Sequence, residues 1–401
     1  MRITQQLTRG LVLSGATLAI SAALIIPSGA ATDPILGHDL TSAAGTVTSA
    51  GSTFDAPLLN VAQPAYGTRN THATISAYGG GGSGAGETAV VTGTAILGFS
   101  DVPLRTLDLN AKASSHWDQN IADFVQVPVA LGGVAIVFNN PTISKSVYYK
   151  MSGLVLTSGI LAKIYKGQIT KWNDSAICAV NPVWVVKHNC KLPNTTLTAV
   201  ARSDSSGTTF AFTNYLNNAQ PSLWATQPSK VSIAGNGILG AAGNGGIAAT
   251  IGSEPGTLGY LEYSYIALGN HLSMAKLVNQ AGKVVKCNTT TVAAAAAHKG
   301  AVAPDNQTWR FSIVNQGGAH SWPISTYSWA IIKKTQTDSA NGTVAVKFLD
   351  WLSHTAPTGF ASFGQDYAAQ EGYVSLPANV QALARTNLLQ VVDGSGNKLL
   401  K

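Results

Sequence analysis

Short apolar runs alternate with longer amphipathic patterns along most of this chain, and this rhythm constrains its fold more than any other feature. Runs such as ATISAY, AILGF and FVQVPVALGGVAIVF are typical of strands. VAVKFLDWLSH and PANVQALARTNLLQVV instead carry apolar residues three and four positions apart, as helices do. Strands that alternate with helices build βα units around a largely parallel sheet. The sequence therefore predicts an α/β fold.

The same pattern places further elements. We expect a helix at about 55–67, a helix in LTSGILAKIYKGQITKW capped by Thr157 or Ser158, and a strand in TLTAVARS that leads to a helix at about 207–216. GTLGYLEYSYIAL and TYSWAIIKK are predicted as strands. Gly-rich stretches near 79–86 and 235–246 each lie between a strand and a helix, so we interpret them as site loops rather than linkers.

Length and composition limit the classes of protein that remain. A chain of 401 residues is long enough for about two domains of roughly 150 to 200 residues. Hydrophobic residues make up 45% and charged residues 11%, which excludes intrinsic disorder. The net charge of +7 comes without a Lys/Arg run that could follow a nucleic-acid backbone, so no nucleic acid is expected. The low charge density suits an acidic medium, in which surface carboxylates are neutral.

The N-terminus predicts export. Arg2 and Arg9 precede an apolar run at 11–26, and small residues follow up to Ala31, as in a cleaved secretory signal peptide. The alternative, a transmembrane anchor, is disfavoured because the run is short and diluted by polar residues. No cysteine follows the run, so we expect a mature protein without a lipid anchor, periplasmic or extracellular and soluble. We assign 1–31 to the signal peptide and 32–46 to a flexible lead-in.

Three cysteines leave their pairing open. Cys178 and Cys190 can close a short loop in an oxidising compartment, with Cys287 unpaired. Buried free thiols are an equally ordinary interpretation.

Three strand-to-helix loops carry groups that suit an anion. GSTF at 51–54 offers N–H groups at a helix start and the hydroxyl of Thr53. GGGGSGAG at 79–86 offers Ser83 and several unhindered N–H groups, and Glu87 at its end argues against a nucleotide-binding P-loop. Each loop alone fits an ordinary capped helix or flexible turn as well.

The third loop, RSDSSGTT at 202–209, is the richest. Arg202 can bind an oxyanion with two parallel hydrogen bonds, and Asp204 can hold its guanidinium in place. Ser206 and Thr208 can donate from the helix start. The alternative is a surface ion pair beside a capping serine.

Asp101, in FSDVPL after the strand AILGF, is the fourth element. A carboxylate suits an anion site only if the anion brings a proton, as phosphate does near neutral pH and sulfate does not. A site that depends on such a bond rejects an analogue lacking the proton by roughly 10⁴-fold. Asp101 is therefore a candidate selectivity element, unless it merely caps a helix.

Taken in order, the segments GSTF, GGGGSGAGE, LGFSDVPL, VPVALGGVAIVFNNP, IYKGQITKWND, RSDSSGTTFAFTNYL and EPGTLGYLEY resemble the phosphate-binding proteins of bacterial high-affinity ABC phosphate importers. The resemblance implies an exported receptor for inorganic phosphate that acts with membrane permease subunits, as a monomer, with no cofactor, metal or catalytic residue. The implied phosphate ligands are Thr53, the Phe54 backbone N–H, Ser83, Asp101, Arg202, Ser206, Gly207 and Thr208, with Asp204 orienting Arg202.

Two positions depart from the family pattern. Val102 replaces a common alanine, and Asp55 stands where many relatives have proline. The negative charge of Asp55 would weaken phosphate binding unless its side chain points outward.

The resemblance also implies a two-domain venus flytrap fold, with a mostly parallel sheet flanked by helices in each domain. Domain one would comprise 47–129 and 326–401, and domain two 130–325. The ligand would then favour the closed form, which brings both sets of donors to one anion.

Other functions remain open as alternatives. A receptor for another oxyanion would use the same loops, and a wall-associated adhesion protein would keep the fold without transport. A secreted phosphatase would need a base or metal beside Ser206 or Ser83, and no histidine lies in the four segments.

Overall fold

The computed structural model describes residues 43–103, 121–269, 272–298 and 312–400. The predicted signal peptide at 1–31 and most of the lead-in lie outside these ranges. The first strand begins at Gly45, inside the end of the segment predicted as lead-in.

Strands and helices alternate through most of the described chain. The strands are β1 (Gly45–Val47), β2 (Ser49–Gly51), β3 (Ala73–Ile75), β4 (Leu97–Ser100), β5 (Phe124–Asn139), β6 (Val155–Leu156), β7 (Val185–Val186), β8 (Asn189–Cys190), β9 (Thr198–Arg202), β10 (Leu239–Ala241), β11 (Thr257–Glu262), β12 (Ser273–Met274), β13 (Lys276–Val278), β14 (Val284–Val285), β15 (Ser325–Lys333), β16 (Thr335–Gln336) and β17 (Val392–Asp393).

The helices cover the sheets, and several of them begin directly after a site loop. They are α1 (Ala56–Arg69), α2 (Ser83–Thr92), α3 (Pro141–Ser144), α4 (Val147–Ser152), α5 (Ser158–Tyr165), α6 (Ser175–Ala179), α7 (Gly207–Ala219), α8 (Gly243–Ser253), α9 (Ser264–Ala267), α10 (Thr289–His298), α11 (Ser339–Leu352), α12 (Gly364–Gln370) and α13 (Ala378–Leu388). Short 3₁₀ turns lie at Ile121–Asp123 and Pro182–Trp184.

Most predicted elements are confirmed. Thr157 caps α5 by accepting the N–H of Ile160, and α7 begins at Gly207 as expected. One prediction is wrong in its second half: GTLGYLEYSYIAL is a strand only through Glu262 and then forms the short helix α9.

The central sheet has eight strands, ordered β10-β9-β11-β5-β15-β4-β2, with β12 also paired to β5. Parallel pairs lie at its two ends, β10 with β9, β9 with β11, and β2 with β4. The pairs that involve β5 and β15 are antiparallel. The α/β fold is confirmed, but the sheet is mixed rather than mostly parallel, because two long strands cross its middle in opposite directions.

A β-bulge interrupts the pairing of these two long strands. Ser328 pairs with Ala130 and Trp329 with Pro128, so β5 holds one extra residue, Val129, at this point. Pro128 has no N–H to give to the ladder, which is tolerated where a bulge already breaks it. The bulge lies directly at Ser328, whose hydroxyl enters the site described below.

Buried apolar residues form one main cluster that follows the sheet. β5 is buried along almost its whole length, as is β15. Large aromatic side chains fill the space beneath the helices; Tyr66 packs edge-on against Phe348 with ring centroids 5.2 Å apart, and Phe212 stacks on Tyr260 at 4.4 Å. This core holds the strand ends, and hence the loops that follow them, in fixed positions.

Cys178 and Cys190 form a disulfide that ties α6 to β8, with Cα atoms 5.9 Å apart. Cys287 is a buried free thiol. In the described ranges, the helices are all too short or too polar to cross a bilayer.

Candidate anion-binding site

The loop between β2 and α1 lies against Asp101. Ser52 Oγ donates to Asp101 Oδ1 at 2.5 Å and accepts the N–H of Phe54 at 3.0 Å. Gly51 adopts φ +132°, and a Cβ there would lie 2.2 Å from the carbonyl oxygen of Phe99. Only glycine therefore lets this loop pass so close to β4.

Thr53, in the same loop, is held by hydrogen bonds from Asn244 and Tyr265. Its Oγ1 accepts hydrogen bonds from the backbone and side-chain nitrogens of Asn244, at 3.0 and 3.2 Å. The Tyr265 hydroxyl donates to its carbonyl oxygen at 2.8 Å. Both contacts on Oγ1 come from donors, so the Thr53 hydroxyl hydrogen is available for an acceptor such as an oxyanion.

The second loop brings Ser83 to the start of α2. Ser83 is fully buried, and its Oγ accepts the N–H of Asp101 at 3.2 Å and the N–H of Gly207 at 3.0 Å. Its hydroxyl hydrogen is therefore also free to point at an acceptor. Gly82 has φ +90°, and a Cβ on it would lie 2.3 Å from Asp204 Oδ2, so the glycine permits contact between the second and third loops.

The third loop contains an ion pair between a buried arginine and a partly buried aspartate. Arg202 is 1% exposed; its Nε donates to Asp204 Oδ1 at 2.7 Å and its Nη2 contacts Asp204 Oδ2. The N–H of Gly243 also donates to Asp204, at 3.0 Å. Burial alone would raise the pKa of Asp204, but the hydrogen bonds and charge of Arg202 outweigh it and hold that pKa below its usual value. Asp204 therefore stays ionised and fixes the guanidinium.

The N-terminus of α7 packs directly on Asp101. Thr208 Oγ1 lies 3.3 Å from Arg202 Nη1 and 3.5 Å from Asp101 Oδ2. Ser206 caps α7 by accepting the N–H of Thr209 at 3.1 Å. A Cβ on Gly207 would lie 2.5 Å from the Asp101 Cβ, so a glycine is required for this approach.

Asp101 is the point where all three loops meet. Its side chain is fully buried, and burial is the largest cause that raises its pKa, to about 6. Hydrogen bonds from Ser52 and Ser328 and the charge of Arg202 oppose that rise. Hydrogen bonds thus connect Thr53, Ser83, Arg202, Gly207 and Thr208 with Asp101, while Ser206 caps the same helix start. Within the described residues, Asp101 is not a helix cap.

Asp55 does not point outward, which contradicts the condition set for it from the sequence. Its side chain is fully buried, and the Ser328 hydroxyl lies 2.6 Å from Asp55 Oδ2 and 2.8 Å from Asp101 Oδ1. The loop turns inward at Asp55 because Ser328 on β15 supplies a polar partner there. Burial first, and then the charge of Asp101, raise the pKa of Asp55 well above its usual value.

Sequence reasoning missed four residues of the site. They are Ser52, Asn244, Glu262 and Ser328. Ser52 lies in a segment that was singled out, and Asn244 lies within the Gly-rich stretch 235–246 interpreted as a site loop, so both had a local signal. Glu262 lies in the segment EPGTLGYLEY, which was singled out without a role for this residue, whereas Ser328 lies in a strand without a flanking motif.

Asn244 and Glu262 link the loops. Besides its bonds to Thr53, Asn244 contacts Thr208 Oγ1 at 3.3 Å and accepts the N–H of Glu262 at 3.1 Å. Glu262 Oε2 accepts the N–H of Ser264 at 2.7 Å. Burial raises the pKa of Glu262 well above its usual value.

The arrangement suits a small anion better than a metal. Helix starts at α2 and α7 present N–H groups, hydroxyls and a guanidinium surround Asp101, and such donors stabilise an oxyanion. Within the residues that the structure describes, no three His, Cys, Asp or Glu side chains are placed to hold a metal ion.

Comparison with known proteins identifies the family. The sequence model of the PBP superfamily domain matches residues 38–355. The phosphate-binding protein PstS of Haemophilus influenzae is 32% identical over 84% of this chain and 90% of its own length. The protein of the same name in Pasteurella multocida is 30% identical over 90% of this chain and 95% of its own.

Solved structures share the fold. The crystal structure of a phosphate-binding protein from Stenotrophomonas maltophilia superimposes with a TM-score of 0.61, at 19% identity, over 86% of this chain and 94% of that one. Sequence and fold thus agree, and this chain belongs to the PBP superfamily, among its PstS-type phosphate-binding proteins.

Proposed function

We propose that this protein binds inorganic phosphate outside the cytoplasm and delivers it to an ABC importer. The observation that carries the proposal is the convergence of the α2 start, the α7 start and the charge of Arg202 on the buried residue Asp101. Donors surround a single acceptor, which is the arrangement that a protonated oxyanion requires.

Eight residues supply the proposed phosphate contacts. Donors are the hydroxyls of Thr53, Ser83, Ser206 and Thr208, the backbone N–H groups of Phe54 and Gly207, and the guanidinium of Arg202; the acceptor is Asp101, and Asp204 orients Arg202. The N–H groups of Phe54 and Gly207 bond to Ser52 and Ser83 in this structure. Phosphate would take over these bonds without a net loss of hydrogen bonds.

Asp101 gives the proposed site its selectivity. Phosphate carries at least one proton near neutral pH and can donate it to Asp101 Oδ2. Sulfate carries none, so its oxygen would face a carboxylate oxygen in a buried place where water cannot separate them. A buried group left without its partner in this way is expensive, and the discrimination can reach roughly 10⁴-fold.

We assign the site to the junction of two lobes, 47–129 with 326–401 and 130–325. The strand pair β2–β4 leads to the first loop and to Asp101, whereas β9 leads to Arg202 and α7. Only a closed arrangement offers both sets of donors to one anion, so phosphate would favour it.

Export and partners complete the proposal. Cleavage of the segment 1–31 would release a soluble monomer into the periplasm or medium, where it would meet the permease subunits of the importer. The curated relatives with the PstS name are described as phosphate-binding proteins, which supports this role.

Calorimetric titration of the purified, ligand-free protein with phosphate, sulfate and arsenate tests the function. We expect saturable phosphate binding and no detectable sulfate binding. Asp101→Asn should still bind phosphate, but the ratio of its phosphate affinity to its sulfate affinity should be smaller than in the unmodified protein. Asp174→Asn is the matched control, because Asp174 caps α6 by accepting the N–H of Ala176, a bond that asparagine can also make. Equal affinity for sulfate in the unmodified protein would refute the proposal.

The rival function, a secreted phosphatase, is tested with the same preparation. We expect no release of phosphate from a chromogenic phosphate ester. Release that Ser206→Ala abolishes would instead establish catalysis.

A further inference from the structure

A single hydroxyl lies between two buried carboxylates at the rear of the site. Ser328 Oγ is 2.6 Å from Asp55 Oδ2 and 2.8 Å from Asp101 Oδ1. A serine hydroxyl has one hydrogen to donate, so it cannot donate to both oxygens at once. The second contact is a hydrogen bond only if one of the carboxyl groups carries a proton and donates it to Ser328.

The surroundings of the two carboxyl groups decide which one is protonated. Asp101 Oδ1 also accepts from Ser52 at 2.5 Å, and Thr208 contacts Oδ2 at 3.5 Å. Asp55 Oδ1 is buried and accepts no hydrogen bond from the described residues. Hydrogen bonds stabilise the charged form of a carboxyl group, so the negative charge belongs on Asp101 and the proton on Asp55.

Charges around Asp55 favour the same assignment. The titratable groups that face it are Asp101 and Glu262, both acidic, and the phenols of Tyr78, Tyr265 and Tyr373. No lysine or arginine in the described part of the chain forms an ion pair with it. Desolvation and these acidic neighbours raise the pKa of Asp55 well above its usual value.

We propose that Asp55 is a positioning residue that keeps a proton in the state competent to bind phosphate. Asp55 Oδ2–H donates to Ser328 Oγ, and Ser328 O–H donates to Asp101 Oδ1. With Ser52 also on Oδ1, that oxygen is saturated, and Asp101 Oδ2 alone remains for the hydroxyl of the ligand. The inference rests on the proposed phosphate-binding function and extends it to a residue outside the predicted contacts.

Loss of this proton to solvent changes the site without moving the backbone. The Ser328 hydroxyl then turns to Asp55, Asp101 loses one of its donors, and a second negative charge lies beside the bound anion. Binding therefore weakens as the pH rises, beyond any change caused by the ionisation of phosphate itself.

The test compares phosphate dissociation constants of the unmodified protein and Asp55→Asn between pH 5 and pH 9. Asparagine is nearly isosteric, and its Nδ2 donates to Ser328 as the protonated acid does. The ionisation of phosphate affects both constants equally, so its effect cancels in their ratio. We expect a ratio near one at pH 5, and at pH 9 at least tenfold weaker binding by the unmodified protein than by Asp55→Asn. A ratio that does not change with pH would overturn the proposal.

A spectroscopic measurement covers the case in which Asp55→Asn does not fold. Protein labelled with ¹³C at the aspartate carboxyl carbon should show, at pH 7 without ligand, an isotope-shifted infrared carbonyl band of a protonated aspartic acid. Ser328→Ala should shift this band, and Asp101→Asn should retain it, because the proton is on Asp55. Absence of that band would overturn the assignment of the proton. If the band is present but phosphate does not bind at any pH, the proposed function fails while the protonation of Asp55 stands.

Discussion

Two groups of acidic residues lie beside the same site and are stabilised in opposite ways. Asp204 shares two hydrogen bonds with the guanidinium of Arg202, and its pKa is lowered. Asp55, Asp101 and Glu262 are fully buried, and the pKa of each is raised, by burial before all other causes. The cation Arg202 outweighs the burial of Asp204, whereas hydroxyls and, for Asp101, the charge of Arg202 offset the burial of the other three only in part.

The difference shows what each group contributes. A compensated carboxylate fixes the geometry of its cation and hardly responds to pH above its lowered pKa. Uncompensated carboxyl groups respond to pH and can accept a proton from a ligand. A site that combines both kinds of carboxyl group can bind an anion through the fixed guanidinium and select a protonated anion through the buried carboxylate.

Removing the cation that pairs with Asp204 should have the largest effect on phosphate affinity. In Arg202→Ala, Asp204 remains near the anion without its partner, and the charged donors to phosphate are lost. Truncating one partner of a hydrogen-bonded charge pair costs about 2 to 5 kcal/mol of binding free energy, so we expect at least about a 30-fold loss of phosphate affinity by calorimetry.

Arg385→Ala is the control for that variant. It breaks the ion pair between Arg385 and the buried Asp350, 2.8 Å apart, between α13 and α11. It should lower the melting temperature and leave the phosphate affinity unchanged. Equal affinity of Arg202→Ala and the unmodified protein would show that the ion pair near the site is only structural.

The buried carboxyl groups of Asp55, Asp101 and Glu262 should make the ligand-free protein less stable as the pH rises. A carboxyl group whose folded-state pKa is raised stabilises the fold below its unfolded pKa and loses that contribution as the pH passes its folded pKa. For Asp101 this window extends from its ordinary value of 3.8 to about 6, and for Asp55 and Glu262 it extends higher. Each unit of pKa difference corresponds to about 1.4 kcal/mol.

Differential scanning calorimetry at pH 5 and pH 8 measures this effect. We expect a lower melting temperature at pH 8, and a smaller difference between the two pH values in Asp55→Asn. A melting temperature that rises from pH 5 to pH 8 in the ligand-free protein, with the same slope in Asp55→Asn, would contradict the comparison.

The smallest effect should come from Asn244, which links the site loops. Asn244→Ala removes the side-chain bonds to Thr53, to Thr208 and to the N–H of Glu262, but keeps its backbone bond to Thr53. Neutral hydrogen bonds contribute about 1 kcal/mol each, so we expect a loss of phosphate affinity of about fivefold to 30-fold by calorimetry. Asn217 lies near the end of α7 that is distant from the site, and Asn217→Ala, which removes side-chain bonds to the carbonyls of Trp224 and Thr226, should not change the affinity.

Much of the fold and three of the site loops were predictable because their signals are local. A strand, a turn with glycine and a capping hydroxyl, and then a helix identify each loop within about ten residues of sequence. Thr53, Ser83, Arg202 and the residues around Gly207 all lie in such segments, and the structure brings them together around Asp101.

Ser328 shows why the rest could not be predicted. It is one serine in a buried strand, and it reaches Asp101 from 227 positions away along the chain. Its place depends on the pairing of β15 with β5 and on the bulge at Val129, neither of which has a local signal. The buried position of Asp55 depends on its contact with Ser328, so it could not be predicted from the sequence either. The antiparallel pairing in the middle of the sheet also has no local signal.

The bulge at Val129 has a further consequence for how this sequence can change. Deleting Val129, or inserting a residue opposite it in β15, would restore regular pairing and shift one strand by a residue relative to the other. Side chains alternate between the two faces of a strand, so such a shift would exchange Ser328 with a neighbour of the opposite face. Indels in this part of the gene should therefore be selected against even though they would regularise the sheet.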